Sequence, residues 1–131
     1  MNDTKQLLEI HSEGNVLVIA FKAPYVNDTN NLESLEDGLR ELLIDFDQRF
    51  LLLDFSEVDI IVSRMINSLV LMVKRVRAEG GQVHLCGLEP KVERVFKTMR
   101  LDRVFDMYDS LAEGLETMQG LEKQLHTAEF V

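Results

Sequence analysis

The order of short apolar runs and amphipathic stretches predicts an α/β fold. It should be built on a mixed, mostly parallel sheet of four to five strands with about four helices. Short runs rich in aliphatic and β-branched residues alternate with longer segments whose apolar residues recur at helical spacing. Gly80-Gly81, Glu89-Pro90 and Ser110-x-x-Glu113 mark joints between them, as a helix stop, a proline-led helix start and a capping box.

Lys5 to Ser12 and Asn15 to Phe21 read as two strands of a hairpin, parted by Glu13-Gly14. Asn30 with Glu33 is a candidate capping box. Leu32, Leu35, Leu39, Leu42, Leu43 and Phe46 behind it predict a first amphipathic helix. The run Phe50-Leu51-Leu52-Leu53 suits a strand covered on both faces. A second helix should start near Ser63 and stop at Glu79, with Met65, Ile66, Leu69, Val70, Met72, Val73 and Val76 as its apolar stripe. Gln82 to Cys86 predicts another strand. Pro90 opens a helix that buries Val92, Val95, Phe96 and Met99, and Arg103 to Tyr108 reads as a last short strand. Ser110 then starts a final helix through Leu111, Leu115 and Met118. Residues 119–131 read either as its extension or as a flexible tail. There is no internal repeat, low-complexity segment or linker, so one domain over residues 1–131 is expected.

The composition narrows the function classes. The 131 residues are 46% apolar, enough for an independent core, and 28% charged. No apolar run approaches the roughly 20 residues that cross a bilayer. The start, MNDTKQLLEIHSEG, lacks the basic and apolar regions of a signal peptide. With a lone cysteine, Cys86, a cytoplasmic location is the expectation. A formal net charge of −9 argues against a general nucleic-acid binder. Charge is unevenly placed: acids prevail from Asp28 to Asp59, bases from Arg64 to Arg103. Either these are solvated helix faces, or they form a polar surface that steers a charged partner.

Enzymatic constellations are mostly absent. His11, His84 and His126 share no metal-ligand spacing with Cys86, although His84 and Cys86 alternate onto one strand face. Structural or surface roles are expected for them, with no metal and no cofactor. Gly80-Gly81 lacks the lysine of a phosphate-binding loop, and no serine sits in a Gly-x-Ser-x-Gly elbow. Asp54, Glu57 and Asp59 lie near a strand end without a base or nucleophile beside them, so they read as surface carboxylates.

From Phe50 to Tyr108 the chain resembles the STAS domain family, the fold of bacterial anti-sigma factor antagonists and of the cytoplasmic part of sulphate transporters. LLLDFSEVDII resembles the family's central strand and following loop. MINSLVLMVKRVRAEGGQVHLCGL resembles the next helix, turn and strand, and EPKVERVFKTMRLDRVFDMY the closing helix and strand. The likeness extends more weakly to NVLVIAF and the Asn30 helix. The family's switch usually reads Asp-Ser-Ser-Gly at the start of the helix after the central strand, and in the antagonists a partner kinase phosphorylates the second serine. Aligned from Gly80, this chain has Val62, Ser63, Arg64 and Met65 there, so only the first serine is kept.

The resemblance implies a non-enzymatic module that binds a kinase-type anti-sigma factor and releases a sigma factor. Ser63 is the remaining phosphoacceptor candidate, and a helix-capping or plain loop role is its alternative. Arg64 should pair with Asp59 or with acids of the Asp28 loop, or be offered to a partner. The expected partner surface comprises Asp28, Thr29, Asp59, Ser63, Arg64, Asn67 and Leu71. A scaffold subunit that is never phosphorylated, and a small-molecule or nucleotide sensor, are the alternatives.

Overall fold

The computed structural model describes residues 7–22, 25–26, 30–45 and 50–128, with side chains within 7–22, 33–42 and 50–121. Its elements are β1 (Leu8–Glu13), β2 (Val16–Phe21), β3 (Tyr25–Val26), α1 (Asn30–Asp45), β4 (Phe50–Asp54), β5 (Ile60–Ile61) and α2 (Ser63–Ala78). They continue with β6 (Gln82–Cys86), α3 (Pro90–Thr98), a 3-10 turn at Leu101–Arg103, β7 (Asp106–Tyr108) and α4 (Leu111–Ala128). Five strands form one mixed sheet in the order β1-β2-β4-β6-β7. The β1–β2 pair is antiparallel, with Glu13 opposite Val16, and the other pairs are parallel. This is the mixed, mostly parallel sheet with four helices that the apolar pattern predicts.

Alternation along the strands divides the interior in two. Leu17, Ile19, Phe21, Leu51, Leu53, Val83 and Leu85 point to the face covered by α1, α2 and α3. Val16, Phe50, Leu52 and Cys86 point to the opposite face, where Met118 of α4 closes over them. The continuous run at Phe50–Leu53 is apolar because β4 is the central strand and both of its faces are covered.

The punctuation signals act as expected. Pro90 is the first residue of α3 after its N-cap Glu89. The Ser110 hydroxyl accepts the Glu113 N–H at 3.2 Å, capping α4. The Gly81 N–H donates to the Val76 carbonyl at 2.9 Å, ending α2 at Ala78, one residue before the expected stop.

Two expectations need correction. The stretch from Arg103 is not all strand: Leu101–Arg103 form a 3-10 turn and only Asp106–Tyr108 pair. Half-buried Leu101, half-buried Val104 and buried Phe105 follow helical rather than alternating spacing, and Arg77 Nη2 donates to the Val104 carbonyl at 2.7 Å. Val95 and Met99 of the α3 stripe are at the surface, because Val92 and Phe96 alone fill that face. Of the two readings for the segment after Gly120, the helical extension is the one observed as far as the described residues go, since α4 runs on to Ala128.

A second, two-stranded parallel sheet was not expected: Tyr25 pairs with Ile60 and Val26 with Ile61. Among the described residues no helix is long and apolar enough to cross a membrane.

His84 has the structural role the sequence reading assigns it. It is buried under α4; Nδ1 lies 3.0 Å from the Tyr108 hydroxyl, and Nε2 lies near Gln82 Oε1 and Asp106 Oδ2. This geometry suits the neutral Nε2–H tautomer, with Tyr108 donating to Nδ1. Burial lowers its pKa below the usual 6.5; Asp106 opposes the shift and Arg77 adds to it. The unfolded chain therefore takes up a proton that the folded chain resists, so this stability is present above pH ~6.5 and lost as pH falls below it. Replacing His84 by Gln should flatten the fall in urea midpoint between pH ~7 and pH ~5.5. An unchanged slope in the variant would count against this assignment.

Candidate functional site

After β4 the chain does not enter α2 directly. Phe55 is fully buried, Ser56 and Glu57 are exposed, and Val58 turns back into the core. The acids here have local work. Asp54 Oδ1 accepts the Ser56 N–H at 3.0 Å, and Glu57 pairs with Lys22 at 2.5 Å. Asp59 is half-buried and makes no ion pair among the described residues.

Ser63 and Arg64 open α2, and both are exposed. The N-cap is Val62, in extended conformation at φ −95° and ψ 157°, with no side-chain cap. The capping role considered for Ser63 is thus corrected: the hydroxyl is one residue inside the helix, too far along to reach back over the first turn. It has no hydrogen-bond partner among the described residues. No acid occupies the first turn of α2, so the positive helix end is not neutralised from within the helix.

Among the described residues Arg64 pairs with Glu36 and not with Asp59, while the acids of the Asp28 loop lie outside them. Its Nη2 lies 3.2 Å from Oε1 of Glu36, on the facing side of α1. The Glu36 side chain is only 14% exposed against 64% for Arg64, so the acid is anchored and the cation reaches in from solvent. Ser68 donates to the other Glu36 oxygen, and its hydroxyl also lies 3.2 Å from the Arg64 carbonyl. Both carboxylate oxygens are thereby occupied. An exposed pair of this kind contributes about 0–1 kcal/mol, but it fixes where the guanidinium sits.

Asn67 is exposed one turn beyond Ser63, and Leu71 is 67% exposed one turn further. Their spacing of four puts Ser63, Asn67 and Leu71 on one outward stripe of α2. The structure thus brings Ser63, Arg64, Asn67 and Leu71 together and leaves Asp59 in the preceding loop. Asp28 and Thr29 lie outside the described residues.

Beside this stripe runs a groove of about 410 Å³ between α1 and α2, with Glu36, Leu39 and Arg40 on one wall and Ser68, Leu71, Met72 and Arg75 on the other. Glu36, Arg40 and Arg75 escaped the sequence reading. Their signal is the flank position beside each helix's apolar stripe, where neighbouring helices meet.

Among the described residues no group of three or more His, Cys, Asp or Glu is placed to hold a metal ion. Cys86 is sealed beneath α4, and burial, with Asp54 nearby, pushes its thiol up to about 12. What the α2 end offers chemically is an exposed hydroxyl, a guanidinium, an amide and an apolar side chain. These are groups for contact.

The family model of the STAS domain matches residues 8–114. A Thermotoga neapolitana protein named as a candidate anti-sigma factor antagonist homologue is 37% identical over 70 residues, 53% of this chain and 62% of that protein's length. The chain therefore spans less than two thirds of that relative. The crystal structure of a candidate anti-sigma factor antagonist from Thermotoga maritima superposes with a TM-score of 0.76 at 21% identity, covering 88% of this chain and 97% of that one. An anti-sigma factor antagonist solved in its unphosphorylated form gives 0.73 at 14% identity, covering 86% and 96%. At these identities the structures share the fold.

Proposed function

Because the chain belongs to the STAS domain family, we propose that it is a non-enzymatic regulatory module of the anti-sigma factor antagonist kind. It binds a kinase-type anti-sigma factor in the cytoplasm and so frees a sigma factor. The observation that carries this reading is the exposed end of α2, where Ser63, Arg64 and Asn67 stand clear of the core beside exposed Leu71. In this reading Ser63 is the phosphoacceptor. A phosphate there adds a charge of roughly −1.5 to −2 at the helix end and changes what a partner meets.

The Arg64–Glu36 pair favours a second reading, a constitutive scaffold subunit whose α2 end is never modified. One experiment separates the two. The protein is incubated with a candidate anti-sigma kinase and Mg-ATP, phosphate is located by mass spectrometry, and complexes are measured for wild type, Ser63→Ala and Ser63→Asp. The switch reading expects phosphate on Ser63, binding by Ser63→Ala, and binding by Ser63→Asp weakened about tenfold or more. Equal binding by all three proteins with no phosphate transfer would establish the scaffold reading. Absence of any complex would overturn both.

A further inference from the structure

We infer that the α1–α2 groove is a docking trough for an acidic amphipathic helix of a partner protein. The inference rests on the reading of α2 as a docking helix and names the chemistry of what docks. The floor is apolar, since Leu39 and Met72 are nearly buried and already packed, while Leu71 rises from one wall as the most exposed large apolar side chain among the described residues. An apolar side chain laid beside Leu71 would bury surface that this chain leaves in water.

The groove's charges name the partner's sign. Its carboxylate, Glu36, already faces Arg64 with one oxygen and Ser68 with the other. Arg40 lies on the α1 side, 62% exposed and paired with Asp37 of its own helix at 2.7 Å. Arg75 lies on the α2 side, exposed and with no ion pair among the described residues. These two guanidiniums flank the apolar floor, and of the two Arg75 is the one with no opposing acid among the described residues. A carboxylate from the partner completes Arg75, because a planar guanidinium binds a carboxylate through paired N–H donors.

The walls name the partner's form. Both are helices whose backbone groups bond within themselves, so no strand edge exists here for an extended peptide to join. Recognition must run through side chains, as it does when an amphipathic helix lies in a groove. Two arginines are too few for the phosphate neutralisation on which nucleic-acid binding depends. A trough with a half-open leucine wall also does not enclose a small molecule as ligand pockets do. Among the described residues the chain's own helices direct their apolar stripes into the two cores, which disfavours a second copy.

The test uses two designed helical peptides of about 16 residues. They share leucines at i, i+4 and i+7 and carry either Glu or Lys on the flanks. Binding to the full chain is followed by fluorescence anisotropy and by backbone amide shifts. The Glu peptide should bind, with shifts concentrated on α1 and α2, and Arg75→Glu should weaken it about tenfold or more while strengthening the Lys peptide. Leu71→Ser should weaken both peptides, and Glu116→Gln, exposed on α4, should leave them unchanged. Both groove substitutions lie on the surface, and a thermal melt confirms that each variant is folded. Equal binding of the two peptides, binding of neither, or shifts mapping elsewhere would overturn the inference. So would self-association in sedimentation equilibrium that Leu71→Ser abolishes. A cognate partner whose binding responds to Ser63→Asp but not to Arg75→Glu overturns the groove alone. Peptide capture without any anti-sigma complex overturns the antagonist reading alone.

Discussion

Replacing Phe55 by alanine is expected to remove about 3–5 kcal/mol of stability, a large share of the ~5–15 kcal/mol that holds a domain folded. Phe55 is fully buried and central to a run of edge-to-face rings. Its centroid lies 4.6 Å from Phe21 at 69° and 6.4 Å from Phe96 at 66°, and Phe96 lies 5.6 Å from Phe105 at 74°. Truncation would remove two ring contacts and leave a cavity between β2 and α3, which cannot easily collapse because both are tied to the sheet. The residue also fixes the passage from β4 toward α2. Its N–H donates to the Cys86 carbonyl at 2.9 Å, and its carbonyl accepts the Val58 N–H at 3.0 Å. Urea unfolding followed by circular dichroism measures the effect, with Phe55→Leu as a control expected to lose less than ~1.5 kcal/mol. A loss below ~1.5 kcal/mol in Phe55→Ala would contradict the central place given to this ring.

The second large effect is expected at Gly87, where alanine should cost about 2–3 kcal/mol. The backbone there has φ +72°, a region in which a side chain is strained by roughly 1–2 kcal/mol. A Cβ would also sit 3.0 Å from Asp54 Oδ1 and 3.2 Å from the Ser56 nitrogen, crowding both ends of the hydrogen bond that shapes the loop after β4. Gly80 supplies the comparison. Its φ of +88° is also left-handed, but a Cβ there meets nothing within 4 Å. Gly80→Ala should therefore lose only the backbone share, and the difference between the two melts isolates crowding. Equal losses would mean that the Asp54–Ser56 loop yields freely.

Much of this was legible in the chain itself, for physical reasons that differ by element. The central strand and α2 could be read because each carries a long apolar signal, Phe50–Leu53 in one and Met65 through Val76 in the other. The exposed outward stripe followed from the same periodicity, since Ser63, Asn67 and Leu71 fall where the apolar set does not. The partner of Arg64 was not legible. Glu36 lies 28 residues away, and with several nearer acids available only the packing of α1 on α2 decides among them. Strands β3 and β5 were missed because two residues are too few to show any alternation. The start of β7 was not legible either, since the short stretch 103–105 looks alike as turn or as strand.

That two-rung ladder has a mechanical consequence. Tyr25–Val26 and Ile60–Ile61 lie just upstream of α1 and α2, and their pairing stitches together the leads of both helices. The two walls of the trough are thus yoked at their base as well as bridged by Glu36 and Arg64 above it.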